Sequence, residues 1–352
     1  MTIDKQRRIV VIYGSNGVGK TNILEAVSLL SIPNGLRKAN YESMINIPSK
    51  LNYWNISAET GSGIFSSSYI KSGTIGKRIY KVNGKSVRNS SEFNKDNYIL
   101  WMTYDTDRLF KESPSARRDF IDMFCQAIYN DHITNVKTYE KLTKERLKIL
   151  KKHCEFGISD NIAKWLDIIE TKIANIAIIV AKARCNTAYK LEELQIRNAE
   201  FPAFHSKMTG TVEEVINNDN FIDIYKTELK NRRQKDIISG STTFGINRSD
   251  WQVFHTAKKI NAEYCSAGEQ KMLILAVFFA FISHCIKLDE RNLIILLDDV
   301  ITHLDITHRK LLFKYIQDFV ITNTKVSVWL SGTDMETFAT MQGTAKFYEI
   351  KS

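Results

Sequence analysis

Proline is scarce in this chain, four residues in 352. That scarcity excludes a proline-rich linker or stalk, and no low-complexity tract takes its place. The five cysteines, Cys125, Cys154, Cys185, Cys265 and Cys285, contain no C-x-x-C pair. A zinc ribbon and a secreted disulfide framework are thereby disfavoured, and buried free thiols are expected. The seven histidines lack H-E-x-x-H spacing, so His303 and His308 are expected to be polar loop and helix residues, and no structural metal is predicted. The longest strongly apolar run, Met272 to Ser283, is about 12 residues, against the roughly 20 that cross a bilayer. Nor does the N-terminus read as a signal peptide, because Arg7 and Arg8 lead directly into a short apolar run and a glycine loop. A cytoplasmic chain without a membrane span is the expectation.

What is present is the composition of a globular protein, 43% hydrophobic and 25% charged, carrying a formal charge of +10. Such a balance suits a polyanionic partner, since Lys and Arg release counterions when they neutralise phosphates. By itself it does not distinguish DNA from a ribosome or a lipid surface.

Ile9 to Tyr13 reads as a buried strand running into Gly14, and Ile23, Leu24, Val27 and Leu30 recur at helical spacing just beyond. From Tyr41 to Trp101 the chain is rich in Ser, Asn and Gly. Its β-prone stretches Gly63 to Ile70 and Lys77 to Val82, with Asn83-Gly84 as a hairpin signal, predict an antiparallel subdomain. Long helical patterns follow, including Lys137 to Lys152 and Asp160 to Arg197. The first carries Lys137, Lys141, Lys144, Arg146, Lys148, Lys151 and Lys152 against only Glu140 and Glu145, which fits a solvated face or a DNA-facing surface. Sheet-like and helix-like segments alternate again after Gly240. The predicted division is an N-terminal lobe with the β subdomain (1–112), a mainly helical insertion (113–240) and a C-terminal lobe (241–352), the two lobes forming one α/β unit.

Gly14-Ser15-Asn16-Gly17-Val18-Gly19-Lys20-Thr21 matches G-x-x-x-x-G-K-[ST] in full, between a predicted strand and helix. Glycines let backbone amides close around phosphates, and the helix N-terminus adds its positive dipole end. Lys20 is then placed to reach the β and γ oxygens, and the Thr21 hydroxyl to ligate Mg2+. The apolar strand Leu293 to Leu297 ends in Asp298 and Asp299, a Walker B pair: the first carboxylate for Mg2+, the second to orient or deprotonate the attacking water. Ser266, Gly268 and Glu269 precede an apolar helix, Lys271 to Ile282. Ser266 and Glu269 have capping-box spacing, and Ser266 with Gly268 also matches the ABC signature, which faces nucleotide bound by a second subunit. Both readings can hold together. Leu304-Asp305 fits the D-loop position.

These motifs in this order, with a distant Walker B and a helical insertion, resemble the SMC/Rad50/ABC class and, more closely, the RecF family. The finer likeness is carried by Gly17 to Ala26, Gly35 to Lys38, Trp101 to Phe110, Ser115 to Asp122, and Leu296 to Val300 followed by Leu304, Asp305 and Arg309. Phe244 to Asp250 matches a family element only at Gly245, Arg248 and Asp250, and Tyr104 stands where proline is common. Thirteen residues precede Gly14, fewer than the family places there, so part of the wall around the nucleotide base is expected to be missing. The resemblance implies an α/β P-loop NTPase of the ABC/SMC head type that binds ATP and Mg2+ and forms an ATP-dependent homodimer. It also implies binding to double- and single-stranded DNA, weak DNA-stimulated ATPase activity, and recombinase loading with RecO and RecR. Ser331 or Thr333 is then expected at the switch position that senses the γ-phosphate. The competing readings are an ABC-type ATPase subunit of a transporter and a DNA-binding protein with a degenerate nucleotide site.

Overall fold

The computed structural model describes the chain except residues 1–6, 32–34, 38–39, 46–50, 130, 154–158, 196–200, 289, 303 and 352. Cys154, His303, Lys38 and Arg197 thus lie outside the described residues. In chain order the elements begin β1 (Ile9–Tyr13), α1 (Lys20–Ser28), β2 (Tyr53–Thr60), β3 (Gly63–Ser72), β4 (Ile75–Val82), β5 (Lys85–Val87), α2 (Ser91–Asp96) and β6 (Asn97–Met102). Next come α3 (Pro114–Ile128), α4 (His132–Lys152), α5 (Asp160–Glu193), β7 (Phe204–Thr209), α6 (Phe221–Asn231) and α7 (Arg233–Ser239). The chain continues with β8 (Asp250–His255), β9 (Ile260–Asn261), α8 (Ala267–Leu288), β10 (Asn292–Leu297), α9 (Ile306–Thr322), β11 (Val326–Gly332) and β12 (Ala345–Glu349).

Two compact units result, residues 1–107 with 286–352, and residues 108–285. The first is built on a five-stranded parallel sheet in the order β12-β1-β11-β10-β6. Two of its inner strands, IVVIY and NLIILL, are largely continuous apolar runs, as expected for strands covered on both faces. β11 is buried along its whole length and lies between β1 and β10. The sheet's C-terminal edge therefore brings the ends of those three strands side by side, the place where open α/β sheets bind ligands. Two members escape the sequence reading: Asn97–Met102 is an edge strand of this sheet, and β12 closes the opposite edge.

The same unit carries the expected antiparallel subdomain, the meander β2-β3-β4-β5. Asn83 and Gly84 both have positive φ, 49° and 80°, the two-residue turn that matches strand twist. Beneath it the Arg78 guanidinium lies 4.7 Å from the ring centroids of both Tyr41 and Trp54 and donates to the Leu29 carbonyl at 2.7 Å. The sheet is thereby tied to the end of α1.

The second unit is mainly helical. Its core gathers Leu166, Ile169, Ile173, Ala177 and Val180 of α5 with Tyr139, Leu150, Phe221, Tyr225 and Leu229. Two differences from the sequence reading stand out. The unit runs to Cys285, so it takes in residues 241–285 assigned above to the C-terminal lobe, and it contains a three-stranded sheet, β7-β8-β9. Strand β8 is what holds residues 250–255 in this unit, through the β7–β8 ladder and through Arg117 of α3, whose guanidinium pairs with both carboxylate oxygens of Asp250 at 2.7 and 2.9 Å.

Helix α8 is longer than its apolar run. Residues 267–287 are long and apolar enough to cross a membrane by length and composition, but 78% of the helix's apolar stretch is buried inside the protein. Its Phe278, Phe279 and Phe281 are buried, and Phe281 stacks on Phe124 of α3 at 4.2 Å. It is a core helix, and its apolar character on all sides follows from that burial.

Candidate nucleotide site

Residues 14–19 connect β1 to α1 without regular structure, and Gly17 and Gly19 take φ of 87° and 100°, a left-handed region that a β-carbon disfavours. Gly19 is the N-cap of α1, so the loop delivers the chain straight to a helix start whose amides have no side-chain cap. Lys20 is buried and its ammonium donates to the carbonyls of Gly14 and Ser15 at 2.8 and 3.0 Å, lying across the loop. Ser15, Asn16 and Gly17 are exposed at the tip, while Val18 is half-buried.

Facing the loop, the Thr21 hydroxyl donates to Asp298 Oδ1 at 3.1 Å across a sequence separation of 277 residues. Ser331, at the end of β11, donates to the same oxygen at 2.7 Å and accepts the Asp299 amide at 2.8 Å. Burial pushes the Asp298 carboxyl above its ordinary range, and the Asp299 charge adds to that, against the two hydroxyls that lower it. Asp299 has φ 51°, left-handed for a residue with a β-carbon. Strain of this kind gathers at functional turns, and Asp is among the few residues that tolerate it. A hydroxyl and a carboxylate converging at a phosphate-type loop form an all-oxygen donor set, which fits a hard cation such as Mg2+.

One acidic residue near this site escapes the sequence reading. Glu25, four residues after Thr21 on α1, is buried and accepts the Arg37 amide at 3.0 Å, while Ser28 Oγ accepts that of Leu36 at 3.0 Å. Arg37 in turn donates to Asn22 at 3.3 Å. Helix α1 thus folds residues 35–37 back over itself, and burial pushes the Glu25 carboxyl upward. The available signal was an acid among the apolar positions of α1.

The remaining expected residues lie elsewhere. Ser331 is buried beneath the aspartate pair and hydrogen-bonded to both aspartates. Thr333 is exposed and donates to Asp334 at 2.7 Å. Asp305 is the N-cap of α9, accepting the His308 amide at 2.8 Å and contacting its ring at 2.7 Å. In the helical unit, Ser266 and Glu269 form the reciprocal capping box: the Ser266 amide donates to Glu269 Oε2 at 3.0 Å, and the Glu269 amide to Ser266 Oγ at 3.4 Å. Gly268 is exposed, with open space where a β-carbon would sit. Asp122, Cys125 and His132 also cluster with metal-ligand atoms. However, Arg184 already holds both Asp122 oxygens at 2.8 Å, and burial pushes the Cys125 thiol far up, so the cluster is an ion-pair network.

No protein-family model matches the chain. It is 34% identical over 334 residues to the DNA replication and repair protein RecF of Rickettsia typhi, covering 93% of this chain and 88% of the relative. RecF of Rickettsia akari is 32% identical over 332 residues, with the same two coverages. The chain belongs to the RecF family. Among solved structures, its fold is similar to that of the recombination mediator protein RecF-ATP of the RecFOR pathway, with a TM-score of 0.75 at 23% identity over 93% of this chain and 86% of that one. RecF membership across nearly the whole length disfavours the transporter alternative.

Proposed function

We propose that this RecF-family chain binds ATP with Mg2+ at the β1–α1 loop, that two copies close around two nucleotides, and that closure retains DNA. One observation carries the nucleotide reading: residues from the two ends of the sequence, Thr21 and Asp298, meet at 3.1 Å on the C-terminal edge of the sheet, directly beside the glycine loop. Amides of residues 14–19 and the start of α1 would take up the phosphates, with Lys20 as a point charge among them. Thr21 and Asp298 would hold Mg2+, which supplies charge neutralisation on the β and γ oxygens. Asp299, held by the amide-to-Ser331 bond, is positioned to orient the attacking water. From the second copy, the start of α8 with Ser266 and Gly268 would complete the site, and Asp305 would lie on the crossing loop. Slow, DNA-stimulated hydrolysis would then reopen the dimer.

The chain would act in the cytoplasm on double- and single-stranded DNA; the name of the Rickettsia relatives, DNA replication and repair protein, supports the DNA part of that reading, and the RecFOR pathway named for the solved RecF-ATP structure supports RecO and RecR as partners. Size-exclusion chromatography with and without ATP and Mg2+ tests the reading. The wild-type chain should shift to dimer only with both, and Lys20→Ala should stay monomeric. A wild-type chain that elutes identically in all conditions would sink it.

A further inference from the structure

We propose that the exposed face of α4 is a docking ridge for the sugar-phosphate backbone of duplex nucleic acid. The exposed residues of this 21-residue helix include Lys137, Lys141, Lys144, Lys148 and Lys151, which follow one another at alternating spacings of four and three. That spacing keeps all five on one stripe. Tyr139, Thr143, Arg146 and Leu150 repeat the same pattern two residues on and are buried. Two residues turn a helix by about 200°, so the lysines face away from the core. Arg146, a basic residue by sequence, is thereby removed from the ridge: it is fully buried, pairing with Glu170 at 2.8 Å and Asp236 at 2.6 Å.

The net charge of the face is what matches a polyanion. Each step of the ladder sets two ammonium groups at i,i+3 or i,i+4, where like charges repel and a merely solvated helix gains from alternating sign. Glu140 and Glu145 are the only acids on the helix. They lie three or four residues from Lys137, Lys141, Lys144 and Lys148 and offset part of that repulsion, yet five exposed lysines against two acids leave this face, on a helix anchored by the buried Arg146 ion pairs, strongly cationic and complementary to a phosphate backbone. The dimensions also fit. From Lys137 to Lys151 the ridge runs about 21 Å, and one DNA strand places a charge every ~3.4 Å of axis, so roughly six phosphates lie within its reach.

The inference rests on the nucleic-acid part of the proposed function and is independent of the nucleotide site. Its test is fluorescence anisotropy of a labelled 25-bp duplex with the full-length chain across a sodium chloride series, without nucleotide. The variant Lys141→Gln/Lys144→Gln/Lys148→Gln should bind about tenfold or more weakly at low salt, and its slope of log K against log salt should be shallower by about 2.7, three phosphates at ~0.9 each. Replacing the same three lysines by arginine should restore the slope. The double variant Lys137→Gln/Lys151→Gln should lose about 1.8 by the same arithmetic. An unchanged slope in both neutralised variants, with circular dichroism melts like the wild type, overturns the ridge and leaves the ATP reading intact. Loss of binding to phosphatidylserine vesicles with duplex binding unchanged overturns it as well, in favour of a membrane surface. A wild-type chain that ignores the duplex without nucleotide removes the ridge, and one that also ignores it with ATP and Mg2+ removes the DNA reading as well.

Discussion

Ser331 Oγ stands 2.7 Å from Asp298 Oδ1 while accepting the amide of Asp299 at 2.8 Å, so one buried hydroxyl holds the Asp298 carboxylate and the Asp299 backbone just past β10. Strand order makes this possible, because β11 lies between β10 and β1.

Ser331→Ala should therefore separate binding from turnover. It leaves the Asp299 amide without its partner and Asp298 with Thr21 alone, a loss of about 1–3 kcal/mol in positioning. Phosphate release should fall about tenfold or more, with ATP affinity within about twofold of wild type; equal losses in the two would refute a positioning role.

Asp299 makes a second separation available. Asn tolerates its left-handed backbone and Ala does not, so Asp299→Ala should be less stable than Asp299→Asn by about 1 kcal/mol, read from urea midpoints. Both should lose hydrolysis. Equal midpoints would show that the φ of 51° carries no cost.

Asp298→Asn should stabilise the nucleotide-free chain at neutral pH. Burial raises this carboxyl above its ordinary value, so its favourable contribution is complete below the unfolded pKa and is lost as pH rises through the folded one, leaving a costly buried charge at pH 7. Asparagine removes that charge. The melting temperature should rise while any Mg2+ dependence of ATP binding disappears; a lower melting temperature would contradict the burial argument.

Asp122 has the opposite sign. Burial pushes it up, but Arg184 and His132 outweigh burial and hold it at about 2, below the ordinary 3.8. Its stabilisation is present above about pH 4 and lost as pH falls through about 2, roughly 2 kcal/mol in all. Asp122→Asn should flatten that acid limb in urea titrations. At neutral pH it should also cost ~3 kcal/mol or more, by leaving Arg184 buried without its anion. An unchanged acid limb would exclude the pairing as its source.

Sequence alone determined whatever depends on local order along the chain. The glycine spacing of residues 14–21, the apolar strand ending in Asp298 and Asp299, the Asn83-Gly84 turn and the Ser266/Glu269 capping box are each written within a few residues, where backbone sterics and short-range hydrogen bonds decide. The antiparallel meander and the helical character of the middle segment were legible for the same reason. Only the tertiary structure decided what depends on strand order and burial. Nothing local announces that Asn97–Met102 and Ala345–Glu349 are the two edges of one sheet. Tertiary pairing between separate elements likewise made Ser331 a buried support, joined Arg117 to Asp250, and turned Arg146 inward while its neighbouring lysines stayed in water. A basic residue two positions along a helix points to the opposite side, and which side is the core is a property of the packed whole.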